Sequence, residues 1–104
     1  MESAHKTAGL IAHLWERNRP LVEERLTLLE SAARAATRGT LSEGLRREAA
    51  EVAHKLAGSL GMYGFPEGTA VAGELELRLE TTPAAELDGT ELGELLERLH
   101  AALT

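Results

Sequence analysis

The sequence predicts an all-α protein, an up-down-up-down four-helix bundle with an additional N-terminal helix. Three observations carry that prediction. Aromatic residues make up only 3% of the 104-residue chain while hydrophobic residues reach 43%. The core is therefore built from Leu, Ala and Val, which suits packed helices better than sheets. Apolar residues recur at three- and four-residue spacings through most of the chain, the period of a helix buried on one face. The breaks between these runs are short, which favours helices packed in sequence order.

The first run, "AHKTAGLIAHLWER" (residues 4–17), has a short apolar stripe of Leu10, Ile11, Leu14 and Trp15. Asn18 and Pro20 interrupt it, a good cap and a residue suited to a first helical turn. A second helix then runs from about Pro20 to Thr37 on Val22, Leu26, Leu29 and Ala33. One helix kinked at Pro20 is the alternative. Gly39 stands at a C-cap position. The third helix starts in "TLSEG", capped by Ser42 or Thr40 with Glu43 at its positive end, and continues to about Tyr63. "GFPEG" is a turn, and Pro66 opens a helix to about residue 81. Its "ELELRLE" alternates like a strand, yet Leu, Glu and Arg are helix formers and no β-branched residue supports a strand. "TTPAAELDGT" is a loop. Asp88 or Thr90 caps a last helix with a stripe of Leu92, Leu95, Leu96, Leu99 and Leu103.

Composition also excludes. With no cysteine there is no disulfide framework, thiolate metal site or cysteine nucleophile. A net charge of −6 argues against a general nucleic-acid binder. No apolar run approaches the roughly 18 residues of a membrane span, and "MESAHKTAG" lacks the form of a signal peptide. The expectation is a single cytoplasmic domain over residues 1–104, with no membrane partner, and a monomer because the bundle closes its own core.

The stretch "EVAHKLAGSLGMYGF" (residues 51–65) carries the chemistry. Each glycine inside a helix costs about 1 kcal/mol relative to alanine, and three follow His54 closely. On a helical wheel, Leu45, Ala49, Val52, Leu56, Leu60 and Tyr63 share the core side. His54 falls about 160° from its centre. Its neighbours at three, four and seven residues are Arg47, Ala50, Ala57, Gly58 and Gly61. Four of those five are Ala or Gly, where a solvated face would carry long polar residues. Ala50, Ala57, Gly58 and Gly61 thus form a candidate docking face around an exposed imidazole. With no acidic neighbour on its open side, His54 is expected to be largely neutral and a competent nucleophile. No second His, Ser or Cys completes a hydrolytic site. The residue fits an acceptor for a group delivered by a partner, and phosphoryl transfer mainly needs in-line approach and charge compensation. Lys55 and Arg47 are the nearby cations.

The residues "HKLAGS" with the later Gly64 resemble the histidine-containing phosphotransfer (Hpt) domain family, whose motif is matched by His54, Leu56, Gly58 and Ser59. Glu76 falls where the family often has a Glu. The resemblance implies a four-helix bundle in which His54 is the phosphoacceptor, with Ser59 beside it and Gly58 leaving room for the partner. It implies exchange with an aspartate of a response-regulator receiver domain or with a hybrid histidine kinase, and no kinase or ATPase activity of the chain itself. It also implies no cofactor of its own, Mg²⁺ belonging to the receiver. Similar modules are attached to receiver or cyclase domains, so the chain can be one unit of a larger signalling protein. The family often has a Lys three residues after the His, where this chain has Ala57.

Two other readings compete. An adaptor bundle would use the same face without phosphate chemistry. A di-iron bundle would use the two E-x-x-H patterns, Glu51 with His54 and Glu97 with His100, but such ligands must point inward, whereas Glu51, His54 and Glu97 point away from the core stripes and His100 sits on the flank of its own. His5 and His13 are too far apart to share a metal on one helix, and Trp15 reads as a core or end-cap residue.

Overall fold

The computed structural model describes residues 2–104, with side chains from Thr7 onward, so His5's side chain lies outside the described residues. Four helices make the fold: α1 (Glu2–Thr37), α2 (Glu43–Ser59), α3 (Pro66–Thr81) and α4 (Gly89–Ala102), with 3₁₀ turns at Leu60–Tyr63 and Ala84–Glu86. α1 packs on α2 and α4, and α3 on α2 and α4. Each helix thus packs on two others, as in a four-helix bundle.

The separate N-terminal helix is not there. Residues 2–37 form one helix with Pro20 inside it. Proline lacks the N–H that would reach the Glu16 carbonyl, so a single rung is lost, and Asn18 does not cap. Its side-chain amide donates to the Leu14 carbonyl at 2.8 Å within the same helix. Packing on both sides of Pro20 holds the two halves in line. Trp15 sits edge-on to Phe65 at 4.7 Å between ring centres, and Val22, Leu26 and Leu29 are buried beyond it. At about 1.5 Å per residue, the 36 residues of α1 account for the 53 Å length of a molecule only 19 Å across. The N-terminal part of α1 therefore projects beyond the other three helices.

The connections are fixed by local chemistry. Gly39 takes φ +70° and Gly64 φ +90°, the left-handed conformation that ends helices at low cost only for glycine. Thr40 N–H returns to the Ala35 carbonyl and Phe65 N–H to the Leu60 carbonyl, closing both turns. Ser42 caps α2 through the Leu45 N–H, and Asp88 caps α4 through Thr90 and Glu91 N–H groups. In α3 the alternation of "ELELRLE" resolves physically. Leu75 and Leu79 are buried and the middle leucine, Leu77, faces out at 60% exposure, as a 3.6-residue period requires.

Glu43 ties the start of α2 to the end of α3. Arg46 donates to Glu43 at 2.8 Å and to the Leu79 carbonyl at 2.6 Å, while Glu43 accepts from the Ala84 N–H at 2.7 Å. The Arg46 hydrogen bond first, then that of Ala84, holds the Glu43 carboxyl below its ordinary value. A depressed folded-state pKa gives stability above the unfolded-state value and loses it as pH falls through the folded-state value. Glu43→Gln should accordingly lower the urea midpoint at pH 7 and make no difference in strong acid. An equal loss at both pH values would contradict this role.

Candidate functional site

The core of α2 is centred on Ala49, Ala53, Leu56 and Leu60, all fully buried, with Ala50 at 7% exposure. Leu45, Val52 and Tyr63 are only partly buried. This core is turned toward α3 relative to the stripe expected from the leucines, and His54 lies about 130° from its centre, not 160°. The reason is size. Ala49, Ala50 and Ala53 are buried in the stretch of α2 between Arg46, which reaches the Leu79 carbonyl of α3, and His54, which meets Glu76, and small residues let two helices approach closely. α2 and α3 accordingly share the most extensive contact in the bundle. Ala50 is buried yet still lines the groove around His54, and Ala57 is half-buried against the core.

That close seam brings in a residue which the wheel of α2 alone leaves out. Glu76, on α3, places Oε2 2.7 Å from His54 Nδ1. The expectation that His54 lacks an acidic neighbour is corrected here. Ionised carboxylate oxygens only accept, so Nδ1 carries the proton and donates. In the neutral ring Nε2 is then the nitrogen with the free lone pair. The His54 side chain is 73% exposed and that of Glu76 only 20%. A half-sunk carboxylate thus anchors an open ring.

Around the pair lies an open groove of about 590 Å³ between α2 and α3, lined by Arg46, Arg47, Ala50, Glu51, Lys55 and Glu80 besides His54 and Glu76. Arg47 and Lys55 are exposed, and among the described residues neither has an ion-pair partner. Gly58 is exposed, and a Cβ there would meet nothing within 4 Å. Packing inside the molecule thus gives no reason for glycine at 58. Gly61 has one: its N–H donates to Thr69 Oγ1 at 2.7 Å, and a Cβ would come within 3.2 Å of that oxygen. The Ser59 hydroxyl donates to the Lys55 carbonyl at 2.8 Å, a helix-internal bond.

The two E-x-x-H patterns do not converge. His100 Nε2 lies 2.7 Å from Glu30 of α1, while His54 pairs with Glu76 of α3. Among the described residues no group of three or more His, Cys, Asp or Glu side chains is placed to hold a metal ion, so the di-iron reading has no ligand set. His13 is exposed on α1.

The bundle thus presents an open imidazole held by a carboxylate from the next helix. The family model for the Hpt domain matches residues 13–103, and the chain belongs to that family. Hpt domains serve phosphotransfer in two-component signalling, where they meet response-regulator receivers and kinases. No curated protein and no solved structure matches the chain. No described helix is long and apolar enough to cross a membrane.

Proposed function

We propose that His54 is the phosphoacceptor of a phosphorelay and exchanges a phosphoryl group with an aspartate of a response-regulator receiver domain. The observation that carries this reading is the ring itself, 73% exposed yet held at Nδ1 by Glu76. Nε2 attacks the phosphorus of the receiver's aspartyl phosphate in line. The N–P bond forms, the P–O bond to the aspartate breaks, and the carboxylate leaves with that bond's electrons. No proton has to move, because Nε2 carries none and Nδ1 keeps its own. The ring gains positive charge as the bond forms, and the Glu76 carboxylate stabilises it, as the orienting carboxylate does for other catalytic histidines. Arg47 and Lys55 meet the charge of the phosphoryl oxygens, in place of a lysine at Ala57. Mg²⁺ enters with the receiver. Gly58 leaves open space C-terminal to the ring for the receiver's backbone.

The test is label transfer from a phosphorylated receiver, read as acid-labile, base-stable phosphate on the chain. A receiver that binds without transferring label would instead favour an adaptor. Glu76→Ala should slow transfer by about ten- to a hundredfold, the usual loss for a residue that orients a functional imidazole. Glu76→Gln should lose less, since its amide oxygen still accepts from Nδ1–H. Equal rates for wild type and Glu76→Ala would remove Glu76 from the mechanism.

A further inference from the structure

The longest apolar surface outside the core lies on α1. Leu10 is 63% exposed, Leu14 41% and Leu21 43%. Counting 100° per residue, these three leucines fall within about 40° of arc, one straight seam running from the bundle out along the projecting part of α1. Polar residues border it in a fixed order. Arg17 and Glu24 lie on one flank, Asn18 and Arg25 on the other, each about 40–60° from the centre of the seam. Among the described residues neither Glu24 nor Arg25 has an ion-pair partner.

We infer that this seam is the interface of a parallel, in-register homodimer. A two-fold axis along the helices lays each exposed leucine on its own counterpart, Leu10 on Leu10 of the second copy and likewise Leu14 and Leu21. The same axis sets each flank against the opposite flank of the other copy. Glu24 therefore meets Arg25 of the second copy, and the symmetry repeats the pair. Arg17 faces the flank of Asn18, which is uncharged, so like charges do not oppose each other across the seam. Neither antiparallel register does as well. Matching Arg17 with Glu24 lays Leu14 and Leu10 level with Leu28 and Ala32, which the chain's own core covers. Matching Leu14 with Leu21 lays Leu10 level with Arg25. Helices packed this way cross at about 20°, so the pair parts beyond Arg25 and the buried Ala32 takes no share in the contact. Apolar burial supplies the association; the leucine register and the Glu24–Arg25 pairs fix its direction. His54 stays open, because it is turned to the α3 side of α2 by its bond to Glu76. The inference is independent of the phosphoacceptor reading.

Sedimentation of the full chain is expected to show a concentration-dependent dimer. Leu21→Lys should give a monomer of unchanged helicity. Glu24→Arg should weaken association about tenfold, since the symmetry makes two like-charge pairs, and adding Arg25→Glu should restore it. The chain has no cysteine, so orientation can be read by cross-linking. A parallel pair brings both Leu14 and Leu21 beside their own counterparts, so Leu14→Cys and Leu21→Cys should each oxidise to a covalent dimer. An antiparallel pair can do so at one of the two positions only. Leu77→Cys is the control for random encounter, because Leu77 is as open on α3, at 60% exposure, and should not cross-link. A wild-type chain that stays monomeric up to about 1 mM, cross-linking at only one of positions 14 and 21, or equal cross-linking of Leu77→Cys overturns the proposal. So does a monomeric wild type in which Leu21→Lys cuts transfer from a receiver, because the seam would then be a receiver contact.

Discussion

His54→Gln gives a protein that folds like the wild type and takes up no phosphoryl group from a phosphorylated receiver. The two halves of that result have separate causes. The side chain is 73% exposed, and its one hydrogen bond goes to Glu76, a bond the glutamine amide N–H can replace. Exposed substitutions of this kind usually change stability by no more than about 0.5 kcal/mol, a shift of roughly 2–4 °C in Tm for a domain of this size. The amide, however, has no nucleophilic lone pair comparable to that of imidazole, so no N–P bond can form. His13 and His100 remain in the variant as internal controls. Residual acid-labile label at the wild-type level would place the acceptor elsewhere, and a collapse of Tm would make loss of label uninformative about chemistry.

Gly89→Ala should be the most damaging single-methyl change in the chain. Gly89 is the first residue of α4 and is buried against the last residue of α1. A Cβ there would overlap the backbone nitrogen and hydroxyl of Thr37 and come within 2.7 Å of its Cα. The obstacle is backbone, which cannot swing aside as a flexible side chain would. α1 and α4 must separate at that end. Overpacking of this kind costs about 1–3 kcal/mol or more, out of the roughly 5–15 kcal/mol that holds a domain together. A fall in Tm of about 10 °C or more follows. Gly58→Ala is the matched control, since nothing lies within 4 Å of its would-be Cβ. A Gly89→Ala protein as stable as wild type would mean that the α1–α4 contact is looser than described.

The helices, their caps and the exposed face of His54 were legible because each is written in local sequence. Ser42, Asp88, Gly39 and Gly64 mark their own boundaries, and the leucine stripe of α4 needs only its own spacing. Two features were not legible, for one reason. The direction of the α2 core depends on which neighbour comes closest, and that is decided by how two helices pack, not by one helix's own stripe. Reading leucines as the core and alanines as clearance missed that Ala50 is buried. It also left His54 without its carboxylate, because Glu76 becomes a neighbour only after α3 closes on the alanines. A cluster of Ala49, Ala50, Ala53 and Ala57 on one flank was the available signal for a close helix pair. Pro20 misled differently: its cost is one lost rung, and packing on both sides of it outweighs that cost.

The alanine seam between α2 and α3 acts as a ruler for chemistry. The 2.7 Å bond from Glu76 to His54 spans two helices, so its length is set by how deeply their backbones nest. Any larger residue at Ala49, Ala53 or Ala72, all fully buried, would lengthen the ruler before it touched the site. Such a change would pull the carboxylate off the ring and leave the histidine in view. Reactivity and helix spacing are then one inherited quantity, and the positions that would tune the proposed acceptor include methyl groups that would never meet the phosphate.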